Sequence, residues 1–199
     1  MDQADAQERP YRHGDLRRAI LDAAEQRLEA GGLQAVTIRA CARDAGVSPA
    51  APIHHFGGLK GVLSGLAARG FARLVAHLAA DAAARPAQSP ASLLVGAYVG
   101  FAQSAPNLFD LMWRDDLLDP EDPALKEARR VALTSLRTLS AQPAEGRAAR
   151  VQAIRIWSLA HGLAMLLRHG RIVTALGSEE DGLQTVEDFV ALAREAGFA

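Results

Sequence analysis

Apolar positions recur at helical spacing along most of this chain. Leu16, Ile20, Ala23, Ala24 and Leu28 form one stripe of a helix opened at Asp15 and ended by Gly31-Gly32. Ile38, Cys41, Ala42 and Ala45 form the stripe of a short helix capped by Thr37 and stopped by Gly46. Ser48 is placed to cap a third, very short helix, with Pro49 at its favoured first position and Pro52 at the fourth. There Pro52 forfeits only the first intrahelical bond. After Gly57-Gly58 the stripe Leu59, Leu63, Leu66, Ala67, Gly70, Phe71, Leu74 and Leu78 predicts a long helix from Leu59 to about Ala84.

Pro86 and Pro90 punctuate the chain, and Pro90 with Ser92 opens a helix that carries Leu94, Val95, Tyr98, Val99, Phe101 and Ala102 to Pro106. A short helix over 106–113, a loop over 115–123, and long helices near 123–141 and 144–169 follow. A last one near 181–197 carries Leu183, Val186, Phe189, Val190 and Ala193 on one face. Between Val151 and Leu167 apolar residues fall on nearly every face, as in a helix that is central to a core or sits between a core and a partner subunit. The expectation is an all-α dimer of about nine helices, three in an N-terminal unit and the rest in a C-terminal bundle.

Composition strengthens the helical reading. There are 41 Ala and 26 Leu against 22 Val, Ile and Thr together, and β-branched residues are those that favour strands. One cysteine, Cys41, excludes an intramolecular disulfide and any multi-cysteine metal or cluster site. Met1 to Pro10 lacks the basic region and apolar core of a signal peptide, and the longest uncharged run, Pro86 to Phe109, is broken by polar residues and prolines. The expectation is a cytoplasmic protein with no membrane partner. The net charge of −1 hides a division: residues 9–60 carry eight basic and five acidic groups, a mildly basic segment behind three acids in residues 1–8.

That basic segment holds a chemical pattern. A helix ending at Ala45-Gly46, then Val47-Ser48 and a stubby helix, has helix-turn-helix spacing. Gly46 supplies the tight turn, Val47 tucks inward, and the following helix is free to enter a major groove. Helix-Gly-helix connections are common in all-α proteins, so spacing alone leaves DNA binding open.

The blocks Leu16-Arg17-Arg18-Ala19-Ile20-Leu21-Asp22-Ala23-Ala24, Thr37-Ile38, Ala45-Gly46-Val47-Ser48 and His54-His55-Phe56 resemble the N-terminal domain of the TetR family of bacterial repressors. The resemblance covers roughly residues 10–70. Trp157, His161 and Gly162 resemble the Trp-His-Gly signature of one subgroup, as do Tyr11 to Asp15, Ser48 to Pro52 and Pro106 to Met112. The resemblance implies a homodimeric all-α repressor, with a DNA-binding unit at 10–57 and an effector-binding and dimerisation unit at 58–199. Its partners would be double-stranded DNA with a near-palindromic operator and a small-molecule effector. The chain departs from the family where Ile53 replaces a usual Tyr, Gly58 a usual Ser or Asp cap, and Leu59 a usual Lys, with Lys60 displaced by one residue. These departures put two phosphate contacts in doubt.

The groups able to reach DNA are the hydroxyls of Thr37 and Ser48, the charges of Arg12, Arg39 and Lys60, the apolar surface of Pro49, Ala50 and Ala51, and the imidazoles of His54 and His55. Adjacent imidazoles on a helix point about 100° apart and rarely share an ion, so no metal is expected. Cys41, on a buried stripe, reads as a small hydrophobe. In the second unit Tyr98, Phe101, Phe109, Met112, Trp113, Trp157, His161 and Met165 line an effector pocket or form plain core, and the two readings stand side by side. His161 reads as a core histidine bonded to a backbone carbonyl or as a helix-contact residue, and Gly162 as a point of close helix approach. No Glu-x-x-His pair, Gly-rich phosphate loop or His-Glu-x-x-His occurs, so no cofactor and no enzyme is expected.

Overall fold

The computed structural model describes residues 13–86, 89–140 and 146–171, with the side chains of residues 13–15 and 90 left aside. Among these residues every regular element is helical: α1 (His13–Gly31), α2 (Ile38–Asp44), α3 (Ala50–Phe56), α4 (Leu59–Ala84), α5 (Pro90–Ser104), α6 (Pro106–Met112), α7 (Pro123–Ser140) and α8 (Gly146–Arg168). A single 3-10 turn, Leu33–Ala35, joins α1 to α2. The expected helix near 181–197 lies outside the described residues, and so does Arg12.

Two boundaries differ from the sequence reading. The first helix begins at His13, ahead of Asp15. In the third, Pro49 takes the capping position with backbone already helical, and no side chain caps it. Ser48 contributes its carbonyl instead, accepting from the Ala51 N–H at 3.0 Å, the bond that Pro52 without an N–H leaves to its neighbour.

Helix α4 is the axis of the molecule, packing on α1, α3, α5, α6 and α7. It is apolar enough over its length to cross a membrane by composition alone, yet most of that stretch is buried inside the protein. Its glycines make the seams. A Cβ on Gly70 would stand 2.6 Å from Met112 Sδ, and one on Gly65 would stand 2.9 Å from Leu21 Cδ2. On Gly61 it would run into the Phe56 carbonyl. Among the described residues a Cβ on Gly162 meets no atom within 4 Å. The helix with many apolar faces, α8, buries Ala153, Ile156, Ala160, Leu163 and Ala164 against α5 and α7 and leaves Val151, Ile154 and Leu166 exposed.

Candidate functional site

The turn between α2 and α3 is built by backbone hydrogen bonds. Gly46, at φ +68°, lets its N–H reach the Arg43 carbonyl at 3.1 Å while the Val47 N–H reaches the Ala42 carbonyl at 2.9 Å. That is a Schellman closure, which a left-handed glycine makes without strain. Val47 then packs against the core. At the far end Gly57, φ +72°, returns its N–H to the Ile53 carbonyl at 2.8 Å and stops α3 after two turns.

These closures decide which side of α3 faces solvent. Pro52 is buried, and Ala51 and Phe56 pack on the core. Ser48, Pro49, Ala50, Ile53 and His54 are exposed, and His55 is half-buried with its ring edge against His54. Thr37 Oγ1 caps α2 by accepting from the Ala40 N–H at 3.2 Å, which leaves its O–H to donate outward. Arg39 and Lys60 are exposed at the starts of α2 and α4. The result is a two-turn helix with a protruding face of small and imidazole side chains, flanked by a hydroxyl and two cations.

The three-helix head is tied internally and to the body. Arg17 donates to the His55 carbonyl and lies over the Phe56 ring at 4.2 Å, holding α3 on α1. Arg27 binds Asp44 at 2.6 Å, which holds that carboxyl below the usual range. From α4, Arg69 donates to Asp22 at 2.6 Å and Glu25 at 3.3 Å, and Arg73 also pairs with Glu25. From α6, Asn107 Nδ2 donates to the Leu28 carbonyl at 2.9 Å and the Glu29 carbonyl at 3.3 Å. This amide reaches the Glu29 carbonyl near the end of α1 and adds a second bond to the Leu28 carbonyl, which already accepts from the Gly32 N–H at 2.9 Å.

Directly after α6 the body changes character. Trp113 stands 4.8 Å from His161, 5.4 Å from Phe71 and 5.9 Å from Trp157, ring centre to ring centre. Behind it Tyr98 and Phe109 are fully buried. Trp157 Nε1–H donates to the Tyr98 oxygen at 3.4 Å, and the Tyr98 hydroxyl shares a hydrogen bond with His161 Nδ1, 3.0 Å away. Burial pushes the Tyr98 pKa up and the His161 pKa down. Both shifts favour the uncharged form of the group. Among the described residues the partner of His161 is thus a hydroxyl, not the backbone carbonyl expected of it.

A cavity of about 190 Å³ opens beside this cluster, between α4, α7 and α8. Its walls are Phe71, Leu74, Trp113, Ala132, Leu133, Leu136 and Trp157, and its charged lining among the described residues is Asp115 and Arg129, which pair with each other. Of the eight residues read as a pocket, Trp113 and Trp157 line this cavity. Tyr98, Phe101, Phe109 and Met112 are buried in the packing behind it, and His161 and Met165 are half-buried. The α4 and α7 walls were missed because each is the ordinary stripe of its own helix. Only their facing across a gap marks them.

Cys41 is fully buried, and burial pushes its thiol pKa up, so it is protonated. Among the described residues no three His, Cys, Asp or Glu side chains are grouped to hold a metal ion.

Comparison with known proteins points one way. Residues 20–66 match the family described as bacterial regulatory proteins, tetR family, and residues 91–192 match the tetracyclin repressor-like C-terminal domain. No curated protein matches the chain. A solved protein of unknown function from Rhodococcus sp. RHA1 is 30% identical, with a TM-score of 0.71 over 92% of this chain and 97% of that one. A bacterial regulatory protein of the tetR family from Rhodococcus RHA1 is 19% identical, with a TM-score of 0.59 over 90% and 95%. The multidrug binding protein EbrR, solved with imidazole, is 22% identical, with a TM-score of 0.56 over 88% of each chain.

Proposed function

Because this chain belongs to the tetR family of bacterial regulatory proteins, a family of DNA-binding transcriptional regulators, we propose that it is a repressor released from its operator by a small molecule. The observation that carries this reading is the exposed face of α3, set on a three-helix head and free of packing duties. Residues 10–57 are the DNA-binding unit and residues 58–199 bind the effector and the second copy. Ser48, Pro49, Ala50 and His54 enter the major groove, with apolar contacts suited to thymine methyls. Ala51, expected there from the sequence, packs on the core behind them. Thr37, Arg39, His55, Lys60 and an arm carrying Arg12 take backbone phosphates. Two copies set the recognition helices ~34–36 Å apart on a near-palindromic site. The protein works in the cytoplasm.

Release follows from the ties already described. An effector that moves Trp113 moves α6, and Asn107 passes that motion to the end of α1. Helix α4, with Arg69 and Arg73 on α1, turns the head as a lever. The effector acts by binding one of two head spacings more tightly than the other. A mobility shift with DNA flanking its own gene, with and without extracted metabolites, is the test. Retarded fragments freed by an extract fraction support the reading, and no retardation at low salt ends it.

Exposed Ile53 and Leu59 favour a second reading, a helical ligand-binding or protein-interaction dimer with weakened DNA affinity. Neither side chain offers a hydrogen bond to phosphate. Under this reading Ile53→Tyr with Leu59→Lys gives a large gain in DNA affinity. A native protein that already binds tightly, with a salt slope of several phosphates, excludes it.

A further inference from the structure

We infer that the cavity beside Trp113 takes a compact aromatic carboxylate, whose carboxyl group takes the Arg129 guanidinium from Asp115. The inference rests on the reading of the body as the effector-binding unit and adds the chemical class. Size sets the first limit. The cavity holds about 190 Å³. An apolar cavity of ~150 Å³ accommodates benzene, whereas drug-sized ligands occupy ~300–1,000 Å³. One aromatic ring with a short substituent fills this space, and the indoles of Trp113 and Trp157 give it flat apolar walls.

Charge sets the second. The ends of the lining Asp115–Arg129 pair are unequal, the Asp115 side chain being 79% exposed and that of Arg129 31%. Arg129 also lies against the Phe71 ring, 5.7 Å from its centre. Asp115 meets only one guanidinium nitrogen, Nη2. Releasing so exposed a carboxylate to water costs little. A ligand carboxylate then restores the counter-ion and engages the planar fork through two parallel bonds, which the single contact to Asp115 does not use. A cationic ligand meets a half-buried cation held in place by Phe71, and a neutral one leaves the fork unimproved.

The chain has two tryptophans, Trp113 and Trp157, and both line the cavity, so intrinsic fluorescence reports occupancy directly. Full-length protein is titrated with benzoate, benzamide and benzylamine in the absence of DNA. Benzoate is expected to change the emission saturably and to bind about tenfold or more tightly than either isostere. Arg129→Met is expected to remove that preference, while Asp115→Asn, a change on an exposed loop, strengthens benzoate binding. Equal binding of all three probes, no saturable change with benzoate, or an Asp115→Asn protein that binds benzoate more weakly overturns the inference. DNA retardation is measured in parallel: protein that shifts DNA but ignores benzoate defeats the ligand class alone, and protein that never shifts DNA defeats the regulator reading.

Discussion

Replacing Gly70 with alanine sets two opposing effects against each other at the seam between α4 and α6. Within a helix, alanine is favoured over glycine by about 1 kcal/mol. Against this, the new methyl would stand 2.6 Å from Met112 Sδ, 2.7 Å from Met112 Cγ and 3.2 Å from Leu108 Cγ, where ordinary contact begins at 3.4 Å. Met112 must therefore retreat by roughly 0.7–0.8 Å, the difference between those distances. Met112 and Leu108 are both fully buried, so neither can turn into solvent. Overpacking of this kind costs about 1–3 kcal/mol. The net effect is a loss of about 1 kcal/mol, or roughly 2–4 °C in a protein of this size.

Gly96→Ala is the internal control. It lies within α5, and a methyl there meets no described atom within 4 Å, so the same substitution is expected to raise the midpoint. Thermal unfolding followed by circular dichroism separates the two signs. Shortening the obstacle adds a second check: in a Met112→Ala background, Gly70→Ala should become stabilising, a coupling of opposite sign to the single change. A Gly70→Ala protein that melts as high as Gly96→Ala would refute the reasoning, because it would mean that α6 does not sit tightly on α4.

Asn107→Ala removes the donors to the Leu28 and Glu29 carbonyls and is expected to cost about 1 kcal/mol in unfolding free energy. It should also reduce the concentration dependence of DNA release on effector, measured by anisotropy of a labelled operator. Thr37→Val removes the cap of α2, a loss of about 1 kcal/mol in chemical denaturation, and weakens DNA binding in a way that should not vary with operator sequence. The neutral state of His161 makes stability depend on pH with a definite sign. Its folded pKa lies below the ordinary 6.5, so the unfolded chain binds the extra proton first. Stability contributed by neutral His161 is complete above that value and declines as the pH falls below it. His161→Gln should flatten that part of the profile, and an unchanged slope in urea melts between pH 7.5 and 5 would exclude the assignment.

Much of the head was legible along the chain. Gly46 and Val47 announced the turn, and the structure closes it with the two bonds that a left-handed glycine permits. The stripes of α1, α2 and α4 were readable because each obeys a single helical period. The Ser48 cap misplaced the start of α3 by one residue, because a proline without an N–H shifted the first bond to Ala51. In the body the aromatic residues were visible and their division was not. Tyr98 and Phe109 went to the core while Trp113 and Trp157 came to the cavity wall.

Local order determined the helical class, the helix-turn-helix and most helix ends, since propensity, capping and periodicity act over a few residues. Tertiary structure alone decided three other things: that Gly70 is tight, that Asn107 reaches α1, and that Arg129 faces a gap between α4, α7 and α8. The Asn107 tie joins positions about eighty residues apart along the chain. The physical reason is that a stripe states which side of a helix is buried, whereas a seam, a strut or a cavity depends on how closely two stripes approach, and that distance is written in neither helix by itself.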